Sequence, residues 1–207
     1  MAQDNVAPQS NETSEAQASA PMTEAEIKQL VELMAGANRR KRQEASHALA
    51  LAAQEDAEAL VPYVDELIDA LYRPEAQTRW EVLTALSKLA PAHPEMVDEA
   101  YDGAEASLFD EDSAIVRLAA FRFLIQLGAC SPDRSDRVWG IVDEAIQCYH
   151  GDPEYRDMLF ALSDFARGNI SEATRDALIA RVGFDAENGR GYVRIISNEI
   201  VSVAKGA

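Results

Sequence analysis

The chain is poor in cysteine, glycine, proline and aromatic residues, and poor in positive charge. Two cysteines among 207 residues, Cys130 and Cys148, cannot make a disulfide scaffold, and neither has the x-x-Cys spacing of a zinc or redox motif. Ten glycines and eight prolines exclude a collagen-like or linker-dominated chain. No run approaches the 18 or so apolar residues of a membrane span. Residues 1–30 lack the basic start and apolar stretch of a signal peptide, so a cytoplasmic, reducing setting is the expectation. With 19 basic and 36 acidic side chains the formal charge is -17, which argues against general nucleic-acid or anionic-membrane binding. Signatures of catalysis are missing too: there is no Walker loop, G-x-G-x-x-G, G-x-S-x-G or H-E-x-x-H. Glu44-x-x-His47 resembles half a di-iron motif but has no second half. The expectation is a non-enzymatic protein without metal or cofactor.

What is present is helix. Residues 1–22 hold almost no large aliphatic side chain and are expected to form a disordered tail. From Thr23-Glu24-Ala25-Glu26, a capping-box spacing, apolar residues recur every three or four positions to the end of the chain, as in Leu60, Val64, Leu67, Ile68 and Leu71. Nowhere is there sustained alternation of apolar and polar residues, so a sheet is not expected.

The helical pattern repeats. Arg42, Arg79, Arg117, Arg156 and Arg194 follow one another at intervals of 37 to 39 residues. Counting forward from each, positions three, six, seven and ten residues on are mostly apolar and share one helix face; the sixth reads Ala48, Ala85, Phe123, Leu162 and Ile200. Each unit reads as helix A, a turn and helix B. Helix A is expected near 58–73 in the second unit and 94–109 in the third, and the units run at about 23–57, 58–93, 94–131, 132–169 and 170–207. One helix pair cannot bury its apolar face alone, so the units must stack into a right-handed α–α superhelix, an all-α solenoid over 23–207. In the fifth unit Gly183–Gly191 stands where a short turn is expected, and Ser197 falls at a core position.

These residues resemble the HEAT-repeat, armadillo-like α-solenoids. The run Leu108-Phe109-Asp110-Glu111-Asp112-Ser113-Ala114-Ile115-Val116-Arg117 looks like the family's turn and helix-B signature, and Asp152-Pro153-Glu154-Tyr155-Arg156 is a second match. The resemblance implies that the five repeat arginines are structural, bonding the turns, with Asp112 and Asp152 as acceptors. It implies that A helices form the convex surface and B helices the concave one. It says little about activity, since this fold mostly presents surfaces.

Sorted by layer, the A segments with their turns hold 25 acidic and 6 basic side chains, and the B segments 8 and 13. An acidic exterior is an ordinary route to solubility. Arg39-Arg40-Lys41 at the start of a B helix is different, because the helix dipole disfavours cations there, and it points to an acidic partner segment. Positions one, five and eight residues beyond each arginine point away from the core face. There Trp80, Leu118 and Ile125 are apolar where the pattern expects solvent. They form a candidate partner-binding patch with Arg122, Gln43, His47, Arg39, Arg40 and Lys41, unless Trp80 instead lies over the adjacent B helix as packing. Cys148, at a repeating apolar position, is expected to be buried, and His93 beside Pro94 exposed.

The function expected is that of a scaffold or adaptor binding a protein or peptide on the concave face. The alternative is a nucleic-acid-acting enzyme like the alkylpurine DNA glycosylases built from similar repeats, which the sparse positive charge disfavours. The last B helix is apolar on more than one face, and a weak homodimer through the C-terminal repeat is a further expectation.

Overall fold

A computed structural model describes residues 22–206. Apart from Met22, the expected tail lies outside the described residues. Five helical pairs follow. The A elements are α1 (Glu24–Ala35); a 3-10 turn (Ala57–Tyr63) leading into α3 (Val64–Ala70); α5 (Pro94–Val97), a 3-10 turn (Asp98–Ala100) and α6 (Tyr101–Leu108); α8 (Pro132–Cys148); and α10 (Glu172–Asn188). The B helices are α2 (Arg39–Glu55), α4 (Ala76–Leu89), α7 (Ala114–Gly128), α9 (Tyr155–Arg167) and α11 (Gly191–Ala204). No strand occurs among the described residues, and the protein is an all-α helical-repeat solenoid.

Short polar side chains start the helices. Thr23 accepts the Glu26 amide while Glu26 accepts the Thr23 amide at 2.8 Å, a closed capping box. Asn38, Ser113, Ser131 and Ser171 cap α2, α7, α8 and α10 without the reciprocal bond, each accepting one amide that the helix leaves open.

The B helices pack side by side in chain order, α2 on α4, α4 on α7, α7 on α9 and α9 on α11. Leu49, Leu86, Leu124 and Leu162 of successive B helices are wholly enclosed in one core with Leu67, Val142 and Leu178 of the A layer. Because the core is continuous, no pair is a free-standing unit.

Four expectations are corrected. The A helices of the second and third units are broken. In the second, Pro62 has no amide hydrogen and its ring obstructs the preceding turn, so the chain runs as a 3-10 turn before α3 begins. In the fifth, Gly183 lies inside α10, which continues to Asn188, so the link to α11 is a short turn and not a nine-residue loop. Cys148 closes α8 and is exposed, since a helix's last residue turns away from the core as easily as toward it; His93 is half-buried and bonds Glu58 at 2.9 Å.

Candidate binding groove

The repeat arginines divide into two groups. Arg42 donates to both carboxylate oxygens of Glu75 in the next unit and to the Gly36 carbonyl at 2.9 Å. Arg79 reaches Asp110 at 2.7 Å, and Arg117 reaches Glu154 at 2.5 Å and the Asp110 carbonyl at 2.9 Å. Each ties a B helix to the turn of the following repeat. The acceptors are Glu75, Asp110 and Glu154, not Asp112 and Asp152, because the guanidinium reaches forward to the turn just ahead of the next B helix. The Arg42 hydrogen bond holds the Glu75 carboxyl below its usual range. At Asp110 burial pushes upward, but bonding and charge from Arg79 outweigh it and the carboxyl is lowered. Arg156 and Arg194 are exposed and make no such tie. Arg156 instead stacks over Phe160 and Tyr192, 5.7 and 5.8 Å from the ring centres.

The outer surface of α4, α7 and α9 is hollowed into a groove of about 520 Å³. Trp80, Thr84, Ser87 and Lys88 come from α4; Ile115, Leu118, Arg122 and Gln126 from α7; Asp157, Phe160, Ala161 and Asp164 from α9. Trp80 and Leu118 are half-buried, each with part of its surface packed on the core and part lining the groove. Ile115 is 57% exposed and Phe160 46%. Beyond Phe160 the apolar strip continues to Tyr192 and Ile195 of α11, also exposed. That strip contains the exposed apolar surface of the last B helix for which a homodimer contact is expected from sequence.

The other candidates are placed as follows. Arg122 lines the groove and pairs with Asp157 at 3.4 Å. Ile125 is fully buried and is removed from the site: α7 is enclosed by α4, α6, α8 and α9, which widens its buried arc to take in this position. Gln43 and His47 on α2 lie outside the groove, His47 bonding Glu81 of α4 at 2.8 Å. Arg39, Arg40 and Lys41 are exposed on the first turn of α2, with Arg40 held by Glu44 at 2.7 Å; none lines the groove. Sequence reasoning missed Ile115, Phe160 and Lys88. They lie one helical step from the positions considered, and a wider arc around the same face would have included them.

The charge on this layer is unevenly neutralised. Of the carboxylates on the B helices, Glu44, Asp157, Asp164 and Glu199 each face an arginine, Asp164 and Glu199 sharing Arg167, and Glu81 faces the His47 ring. Among the described residues Arg39, Lys41, Lys88 and Arg194 have no ion-pair partner. The open charge on this layer is thus four exposed cations beside one exposed unpaired carboxylate, Glu55, although the molecule as a whole is acidic.

Among the described residues no group of His, Cys, Asp or Glu is arranged to hold a metal ion, and no helix is long and apolar enough to cross a membrane. No protein-family model matches the chain, and no curated protein matches it in sequence. Solved structures do resemble it. A designed armadillo repeat protein in complex with the peptide (KR)4 superposes with a TM-score of 0.71 at 14% identity, covering 87% of this chain and 82% of that one. Computationally designed armadillo repeat proteins for modular peptide recognition give 0.68 at 15% identity, over 86% and 82%. An engineered protein gives 0.64 at 17% identity, over 90% and 85%. At such identities the likeness is one of fold.

Proposed function

We propose that the protein is a non-enzymatic adaptor that binds a protein or peptide partner along the B-helix groove, with Trp80, Leu118 and Phe160 as anchors. The observation that carries this reading is the row of apolar side chains open to the groove across α4, α7 and α9, Trp80 and Leu118 half-buried and Ile115 and Phe160 exposed, with Tyr192 and Ile195 exposed on α11. Large apolar side chains left in water on successive helices are unfavourable by tens of cal/mol per Å², roughly 25, and a row of them in a groove marks a contact surface. The peptide-binding character of the designed armadillo proteins supports it in kind. Arg39 and Lys41, exposed and unpaired at one end of the same layer, steer an acidic part of the partner by long-range attraction.

The test is affinity capture from nuclease-treated native lysate, wild type beside a Leu118→Ala/Phe160→Ser variant, read by mass spectrometry. A protein retained by wild type and lost by the variant is expected. Equal retention by both, or retention of nucleic acid in place of protein, rejects the adaptor reading.

A further inference from the structure

The shape and charge of the groove go further than the class of partner. Resting on the adaptor reading, we infer that the groove takes an acidic, extended segment of polyproline II type, with apolar side chains three residues apart and a carboxylate on Lys88.

The spacing comes from the helices. The anchors Trp80, Leu118 and Phe160 stand on α4, α7 and α9, which pack in direct succession. Packed helices lie about 8–10 Å apart. In a polyproline II segment every third side chain points the same way, and three residues advance about 9 Å. A β-strand repeats its face about every 7 Å and an α-helix about every 5.4 Å, or about 10.8 Å over two turns, so each lies further from the middle of that spacing than the polyproline II repeat does.

The charge comes from what is already neutralised. Two carboxylates line the groove, Asp157 and Asp164, and both face arginines, Arg122 and Arg167. Lys88 lines it with no ion-pair partner among the described residues and is exposed. A carboxylate fits there, whereas a basic side chain would have to compete with Arg122 and Arg167 for the two acids. The designed neighbour bound to (KR)4 shares the fold, and the charge left open in this groove has the opposite preference.

The test is to pan a phage-displayed random dodecapeptide library on the full chain. The expected consensus has apolar residues at every third position, with Asp or Glu and Pro between them. The lead peptide should weaken by about tenfold or more against Lys88→Glu. It should also keep its affinity when the intermediate positions other than the acidic one are replaced by proline, which a helix does not tolerate. Lys88 is exposed, so the variant's fold is checked simply by its circular dichroism and melting temperature. A Lys/Arg-rich consensus, a lead abolished by proline, or binding indifferent to Lys88→Glu each overturns the inference. If no peptide is enriched while the lysate experiment still yields a partner lost by Leu118→Ala/Phe160→Ser, the extended segment is wrong and the adaptor stands. If neither experiment yields a ligand, the adaptor reading fails with it.

Discussion

Arg42 and Glu75, on consecutive repeats, form an ion pair with both side chains about nine-tenths or more buried. A buried pair is weak evidence of net stabilisation, yet removing one partner leaves a charge in the core and typically costs about 3–5 kcal/mol. Glu75→Ala should therefore lower the urea midpoint far more than the loss of an exposed pair such as Arg40–Glu44. The pH dependence has a definite sign. Glu75 has a folded pKa below its unfolded one, so its stabilisation is present above the unfolded carboxylate pKa, about 4.3, and disappears as pH falls through the folded value. The stability gap between wild type and Glu75→Gln should narrow on acidification from pH 7, as followed by urea titration.

Gly128 reverses a general rule. In a helix Gly→Ala usually gains up to about 1 kcal/mol. At Gly128 on α7 an added Cβ would lie 2.5 Å from Val138 Cγ2 and 3.0 Å from the Phe165 ring. Valine is stiff about χ1 and the ring is buried, so neither gives way cheaply. Gly128→Ala should destabilise by roughly 1–3 kcal/mol and lower the melting temperature; a rise would show that α8 can move away from α7.

Tyr155 is buried and donates to Asp185 at 3.0 Å, and His150 bonds the same carboxylate at 3.0 Å. Burial first, and then the Asp185 charge, push the phenol far above its ordinary value of about 10. Because the folded pKa is the higher one, this contribution is complete below pH of about 10 and is lost as pH rises beyond it. Wild type should lose stability above that pH more steeply than Tyr155→Phe. At neutral pH the variant should be weaker by about 1–3 kcal/mol, since Asp185 loses a donor.

The two cysteines should separate cleanly in a thiol-labelling experiment under native conditions. Cys148 is exposed at the end of α8. The Cys130 thiol donates to the Ala90 and Gln126 carbonyls at 3.3 and 3.1 Å, and burial pushes it up. The thiolate is the reactive form, so Cys148 should react fast and Cys130 only on the timescale of local opening. Cys148→Ser should remove the fast phase alone.

The solenoid is legible in the sequence because its determinants are periodic: an arginine in each unit and a helical apolar face, repeated with little variation. What escapes the sequence depends on neighbours in space. Trp80, one residue beyond its repeat arginine, and Ile125, eight beyond its own, both read as outward, but α7 is walled in on four sides, so Ile125 is core while Trp80 opens to the groove. Arg42 and Arg156 hold the same place in the repeat. The first has Glu75 waiting in the next turn, and the second finds Phe160 and Tyr192 instead. A repeat pattern shows that a position exists, and only the adjoining repeat decides what it does.

Phe160 and Trp80 allow binding and folding to be separated within one groove. Phe160 is 46% exposed, so Phe160→Ser gives up roughly half of a side chain's burial and should cost about 1–1.5 kcal/mol. Trp80 packs partly against the core, so Trp80→Ala should cost clearly more, toward the roughly 3–5 kcal/mol of a buried aromatic scaled by its partial burial. Both should abolish capture of the partner if the groove is the contact surface, because truncating an anchor commonly costs about 2 kcal/mol or more of binding energy. Loss of binding in Trp80→Ala alone could reflect a loosened fold, but the same loss in a Phe160→Ser protein that stays fully folded could not. Equal binding by Phe160→Ser and wild type, with Trp80→Ala reduced only in proportion to its lost stability, would show that the partner sits elsewhere and that Trp80 serves packing.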